Sequence, residues 1–292
     1  MVHNIAKKVY GLFKKTLKSI LRFFHVFVLY YKNGGVTYAK ISQINYGETL
    51  LGKRVLITGG GSGIGFAIAQ KAINEGAKVV ITGRNALKLA DAKKKISSEN
   101  LFIVEWDAGD VSLIPNKLEE VSSLLGGSID ILVNNAGVLL DQNFFTTTEH
   151  VWDTTYKINS KAVFFLSQAV ANELISKKKK GKIINVSSTS GFYGAAIPYG
   201  MTKWDIAGLT EGMGKKLAPH GIIVNGIAPG RTATSMLSKE KDGNIYDLVT
   251  SAKRFGMPEE IAELALFLMS DATSFIVGQT IVCDGGYILK VH

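Results

Sequence analysis

Arg54-Val55-Leu56-Ile57-Thr58-Gly59-Gly60-Gly61-Ser62-Gly63-Ile64-Gly65 decides the fold. Arg54 to Thr58 is an apolar run that reads as a strand, and Ile64, Ala67, Ile68 and Ala72 then recur at helical spacing. The glycines between them lack a Cβ, so the backbone can take positive φ and approach a ligand closely. Free N–H groups and the positive end of the following helix favour negative charge there. A glycine cluster alone would read as a flexible loop. Strand before and helix after turn it into a docking place for a dinucleotide phosphate, with Gly59, Ser62, Gly63, Ile64 and Gly65 as its candidate contacts.

Further strand-like runs follow at Lys78 to Thr82, Leu101 to Trp106, Ile129 to Val133, Lys182 to Val186, Ile222 to Gly226 and Thr280 to Val282. Amphipathic segments of helix length separate them. This alternation predicts an α/β fold: a Rossmann-type, doubly wound, parallel seven-stranded sheet with helices on both faces.

Tyr199 and Lys203 stand four residues apart, which on a helix places phenol and ammonium on one face. A cation beside a phenol favours the phenolate and pulls a pKa of about 10 toward neutrality. Such a tyrosine can exchange a proton with an alcohol or a carbonyl.

Thr58-Gly59 with Gly63-Ile64-Gly65, Asn134-Asn135-Ala136-Gly137, Asn159, Ser188, Tyr199 with Lys203, Pro229-Gly230 and Asp284-Gly285-Gly286 together resemble the ordered motifs of the short-chain dehydrogenase/reductase family. The resemblance spans about residues 50 to 288 and is greatest to 3-oxoacyl-carrier-protein reductase-like members. It implies an NAD(P)(H)-dependent oxidoreductase interconverting a carbonyl and a secondary alcohol. On that resemblance Tyr199 is the general acid in reduction and the base in oxidation, Ser188 positions the reacting oxygen, Lys203 binds the nicotinamide ribose, and Asn159 holds the helix geometry and water of a proton relay. The loop of ten residues between Ser188 and Tyr199 is shorter than the family's usual one, which keeps Ser187 and Ser190 as alternatives. Tyr193 has no lysine four residues on and reads as a pocket or packing residue.

The resemblance also distributes the cofactor contacts. Gly83 occupies the position where an acid would receive the adenosine ribose, and Arg84 follows it, so NADP(H) is favoured while NAD(H) stays open. Arg84 could instead stack on adenine or face water. Asp107 and Ala108 resemble the adenine-edge contact, the alternative for Asp107 being a turn or capping role. Asn135, Ala136 and Gly137 pass the ribose, with a structural part expected for Asn134, and Pro229, Gly230 and Thr232 bind the nicotinamide carboxamide. The segment from Thr234 to Phe255 corresponds to a substrate-covering region, with Met236, Leu237, Ile245, Tyr246 and Leu248 as an apolar lining; packing of a short helical pair is the competing reading. Dimers or tetramers are a family expectation, and a small-molecule carbonyl or alcohol is the expected substrate.

Charge separates the first residues from the rest. Residues 1–47 carry eight Lys or Arg and no acid, whereas residues 48–292 carry 26 basic and 24 acidic side chains. Because the body is nearly neutral, nucleic acid is not an expected partner. Ile5, Val9, Leu12, Phe13, Leu17, Ile20, Leu21 and Phe24 fall on one helical face and Lys7, Lys8, Lys14, Lys15, Lys18, Arg22 and His25 on the other. Residues 1–47 thus read as a basic amphipathic helical extension, joined near Gly34-Gly35 to a catalytic domain at 48–292. Ile20 to Tyr31 is only twelve residues long, short of the roughly 20 that span a bilayer. Residues 1–32 could lie on an anionic membrane surface, pack against the body, mediate oligomer contacts or serve in targeting. The single Cys283 excludes an internal disulfide and fits a cytoplasmic location, with peripheral placement on a membrane's cytoplasmic face as an extension of it. His150 and His220 have no ligand-like arrangement, so no metal is expected. A cofactor-binding structural or regulatory protein is the rival reading.

Overall fold

The computed structural model describes residues 13–21, 23–24, 27–28, 47–239 and 243–289. Seven strands form one parallel sheet: β1 (Arg54–Thr58), β2 (Lys78–Gly83), β3 (Leu101–Glu105), β4 (Ile131–Asn134), β5 (Gly181–Val186), β6 (Ile222–Pro229) and β7 (Thr280–Cys283), in the order β3-β2-β1-β4-β5-β6-β7. The helices are α1 (Gly63–Asn74), α2 (Ala86–Ile96), α3 (Ile114–Leu125), α4 (Glu149–Tyr156), α5 (Ala162–Ser176), α6 (Pro198–Leu217) and α7 (Pro258–Met269). The chain reverses its winding between β1 and β4, and ligands of open parallel sheets bind in the crevice at such a point, beyond the strands' carboxyl ends.

Successive strand residues point to opposite faces, and β1 shows how both are filled. Val55 and Ile57 enter a core with Ile68, Leu89 and Leu266 of α1, α2 and α7, while Leu56 enters one with Val121 and Val170 of α3 and α5. Fully burying each such side chain contributes about 1.5–3 kcal/mol. The sheet is therefore dry on both sides, which leaves its ends for chemistry.

Two strand boundaries differ from the sequence-based expectation by more than one residue. β6 runs on past Gly226 to Pro229 because Gly226 to Pro229 pair with Thr280 to Cys283. β4 starts at Ile131 rather than Ile129; just before it, Asp130 accepts from the N–H and guanidinium of Arg54 through its carboxylate. Among the described residues of the extension, 13–21, 23–24 and 27–28 are helical and all are exposed. The remainder of 1–47 apart from Gly47, including Val9, Arg22, His25 and Gly34-Gly35, lies outside the described residues. No helix among the described residues is long and apolar enough to cross a membrane.

Candidate active site

The turn after β1 is built around glycine. Gly59 and Gly63 have φ of +67° and +57°, a region that disfavours other residues. A Cβ on Gly65 would lie 2.4 Å from Asn135 Nδ2, and one on Gly59 2.9 Å from Ala136 Cα, so the turn sits directly on the loop that follows β4. Asn135 Nδ2 donates to the carbonyls of Thr58 and Gly59, both at 3.0 Å, and Thr58 Oγ1 accepts from the N–H groups of Asn135 and Ala136. Ser62 is the N-cap of α1, yet its hydroxyl caps nothing and no acid stands in the first turn. The N–H groups at the start of α1 consequently face outward, under Thr234, whose Cγ2 is 3.3 Å from where a Gly63 Cβ would be. An uncapped helix start of this kind fits a pyrophosphate.

Beyond β4, a π turn at Lys157–Lys161 joins α4 to α5 and turns Asn159 inward, buried. Its Oδ1 accepts from Val138 N at 2.8 Å, and its Nδ2 donates to Val138 O at 3.0 Å and to Thr202 Oγ1 at 3.3 Å. The loop after β4 is thereby fastened to α6. Asn134 does not face the crevice: buried, it donates to Ser167 and to Asn185 of β5, so it ties neighbouring elements.

Ser188 leaves the end of β5, accepts from Ser190 N at 3.1 Å, and lies near enough to the Tyr199 phenol on α6 to favour its ionised form. Lys203 is buried, donates to Val186 O at 3.0 Å, and stands 5.5 Å from the centre of the Tyr199 ring. The alternative serines are occupied elsewhere. Ser187 donates to Lys203 O at 2.8 Å, and Ser190 pairs with Tyr193 at 3.1 Å. Tyr193 packs edge-on against Tyr287 and accepts from Trp204 Nε1 through its carbonyl.

The electrostatics correct one expectation. Burial pushes the Tyr199 phenol above its ordinary value, with the Ser188 hydrogen bond pulling it back down, and burial lowers Lys203 to about 8. Spacing alone predicted a phenol drawn toward neutrality. In the folded chain the ammonium donates to the Val186 carbonyl and lies 5.5 Å from the ring centre, while both groups lose water.

The remaining candidates are distributed as follows. Arg84 is exposed at the end of β2, directly before Asn85, which caps α2. Asp107 accepts from Gly109 N at 3.0 Å and approaches Lys157 at 4.0 Å, an arrangement that makes it a turn former, and Ala108 beside it is half-buried. Pro229 ends β6, and Gly230 passes so close to Asp284 that a Cβ would sit 2.5 Å from the Asp284 Cβ. Thr232 is buried and donates to Gly230 O. Ile245 is not a lining residue: it packs with Ala233, Phe255 and Met257 in a small core, whereas Met236, Leu237 and Leu248 are exposed. The described part of 234–255 forms a single 3-10 turn at Ser235–Leu237 and no helical pair.

Gln142 was not anticipated. α6 begins at Pro198 after Ile197, neither of which supplies a capping side chain. Gln142 Oε1 accepts the Tyr199 N–H at 2.8 Å instead, while its Nε2 donates to Thr155 Oγ1 at 3.0 Å. A helix start lacking its own cap is visible in sequence, but the distant partner is not.

Residues 53–244 match the family model described as short chain dehydrogenase. The chain belongs to this family. Among its relatives, the short-chain dehydrogenase/reductase named 3-oxoacyl-[acyl-carrier-protein] reductase of Aquifex aeolicus is 36% identical over 244 residues, 81% of this chain and 98% of the relative. Gluconate 5-dehydrogenase of Gluconobacter oxydans is 36% identical over 251 residues, 83% of this chain and 97% of the relative. The crystal structure of a short-chain type dehydrogenase/reductase from Mycobacterium marinum superposes with a TM-score of 0.77 at 31% identity, covering 82% of this chain and 97% of that one. As a short-chain dehydrogenase/reductase, the protein is an NAD(P)(H)-dependent oxidoreductase that interconverts a carbonyl and a secondary alcohol on a small-molecule substrate.

Proposed function

We propose that residues 48–292 form a catalytic domain that prefers NADP(H) and uses Tyr199 as its acid and base, with Ser188, Lys203 and Asn159 as its partners. The observation that carries this reading is the Ser188 hydroxyl set against the Tyr199 phenol, which it pulls toward the ionised form, beside the buried Lys203. When bound, the nicotinamide supplies the hydride or takes it up. Tyr199 donates its proton to the oxygen that gains charge in reduction and recovers it in oxidation, while the Ser188 hydroxyl holds that oxygen. The Lys203 ammonium, present below its lowered pKa of about 8, favours the phenolate that remains. Asn159 fixes α6 through Thr202 and the β4 loop through Val138.

Gly63, Ile64 and Gly65 would hold the pyrophosphate, and Asn135, Ala136, Gly137, Pro229, Gly230 and Thr232 would flank the nicotinamide half. The NADP preference rests on Gly83, which offers no carboxylate, and on the exposed Arg84 after it, a cation free to meet an extra phosphate. Assembly into a dimer or tetramer is supported by the exposed Phe164, Phe165 and Trp204 on α5 and α6.

Residues 1–32 of the extension would lie on an anionic membrane surface at the cytoplasmic side. Exposed Phe13, Leu17, Ile20, Leu21 and Phe24 form one stripe, with Lys14, Lys15 and Lys18 off it. A panel of ketones assayed in parallel with NADPH and NADH tests the catalytic reading. Consumption of NADPH ahead of NADH is expected. Firm cofactor binding with no turnover of any ketone would overturn it.

A further inference from the structure

A groove of about 540 Å³ opens beside the first turn of α6. One wall is Ala195, Pro198 and Met201, residues that bracket Tyr199; the other is Phe144, Thr148 and Trp152, from the loop before α4 and its first turns. Gln142 joins the walls, since it accepts from Tyr199 N and donates to Thr155 on the same helix as Trp152. The groove therefore adjoins the first turn of α6, with Pro198 and Met201 in its lining on either side of Tyr199 in the sequence.

We infer that this groove receives the apolar tail of a carbonyl substrate, the inference resting on the carbonyl–alcohol reading above. Phe144 is 70% exposed and Trp152 40% exposed, large apolar surfaces left in water at the edge of the site. Trp152 is stacked on Tyr156 with ring centres 4.9 Å apart, so this wall is held in place before anything binds. Charge selects among substrate classes. Glu149 is the one ionisable side chain lining the groove, and no Lys or Arg lines it. A keto sugar acid would bring a carboxylate to a wall that repels it and offers no partner, whereas an alkyl or aryl ketone would bury hydrocarbon against Phe144, Trp152 and Met201. The substrate class is thus a neutral, apolar-tailed ketone or its secondary alcohol.

The test is a series of methyl ketones lengthened one methylene at a time, with NADPH as reductant. In the full-length enzyme kcat/KM rises about threefold to fourfold per methylene while the tail still fits the groove. In Phe144→Ser and Trp152→Ala the ratio of kcat/KM between long and short ketones collapses toward one. A series that shows no chain-length dependence, variants that keep the full dependence while changing only the oligomeric mass, or preferential turnover of a keto sugar acid would each overturn the inference. Calorimetric binding of a long-chain secondary alcohol separates this outcome from failure of the catalytic reading. Binding that is weakened at least tenfold in both variants supports the groove even if no ketone turns over, and binding unaffected by either substitution contradicts it.

Discussion

The N–H of Tyr199 donates to Gln142 Oε1 at 2.8 Å, so the residue proposed to move the proton is also the first donor of its helix, capped by a side chain from 57 positions earlier. Gln142 is a positioning residue on this reading. Gln142→Ala leaves that N–H without its acceptor, while Thr155 keeps its bond to Val151 O, and should cost about 1 kcal/mol of stability, as loss of a helix cap does. Its kcat should fall about tenfold or more while the KM for cofactor stays within a few fold, because a small displacement of the acid affects the transition state most. Gln142→Glu keeps the acceptor and should recover most of kcat, with its pH profile moved upward by the added negative charge near Tyr199. Urea unfolding and steady-state kinetics against pH check all three outcomes.

Burial lowers Lys203 to about 8, from an ordinary 10.5. Below about 8 the side chain is an ammonium, so turnover that depends on that cation should decline as pH rises through this value, and Lys203→Met should remove this limb together with most of the activity. Stability should move the opposite way. Between about 8 and 10.5 the unfolded chain holds the proton that the folded chain has released, so folding gains with rising pH across this window. Thermal unfolding of wild type and Lys203→Met at several pH values reads the difference.

Gly191 lies against the catalytic helix. A Cβ there would stand 2.5 Å from Lys203 O, a backbone atom, whereas one on Gly194 would meet nothing within 4 Å. Gly191→Ala should destabilise by about 1–3 kcal/mol and depress kcat, because α6 must shift to make room. Gly194→Ala should fold like wild type. Denaturation midpoints and kcat measured on both variants decide.

The apolar stripe of the extension is exposed from Phe13 to Phe24, with lysines off the stripe. Vesicles rich in anionic lipid should float the full-length protein at low salt, less of it at high salt, and little of a chain lacking residues 1–32. Equal flotation of both chains would remove the membrane role.

The glycine turn and the seven strands were legible because each depends on local chemistry: positive φ at Gly59 and Gly63, and apolar runs separated by helical spacing. Ser188 came from the family resemblance, with Ser187 and Ser190 as alternatives, and the structure sets it at the end of β5. What escaped depended on contacts between distant segments. Gln142 caps a helix it precedes by a whole α/β unit, Ile245 is drawn into a small core by Phe255 and Met257, and β6 is lengthened by its pairing with β7. The Tyr199 phenol was misjudged because helical spacing reports a neighbouring charge but not the burial that both groups share. The turn role weighed for Asp107 from sequence is present in its bond from Gly109 N.

Turnover of Tyr199→Phe tests the central claim most directly, measured as NADPH oxidation with a ketone the wild type accepts, alongside cofactor affinity from fluorescence titration. A loss of about 10²- to 10⁴-fold in kcat with NADPH affinity within a few fold of wild type is the predicted result. A variant that reduces the ketone at the wild-type rate would contradict the assignment of Tyr199 as proton donor.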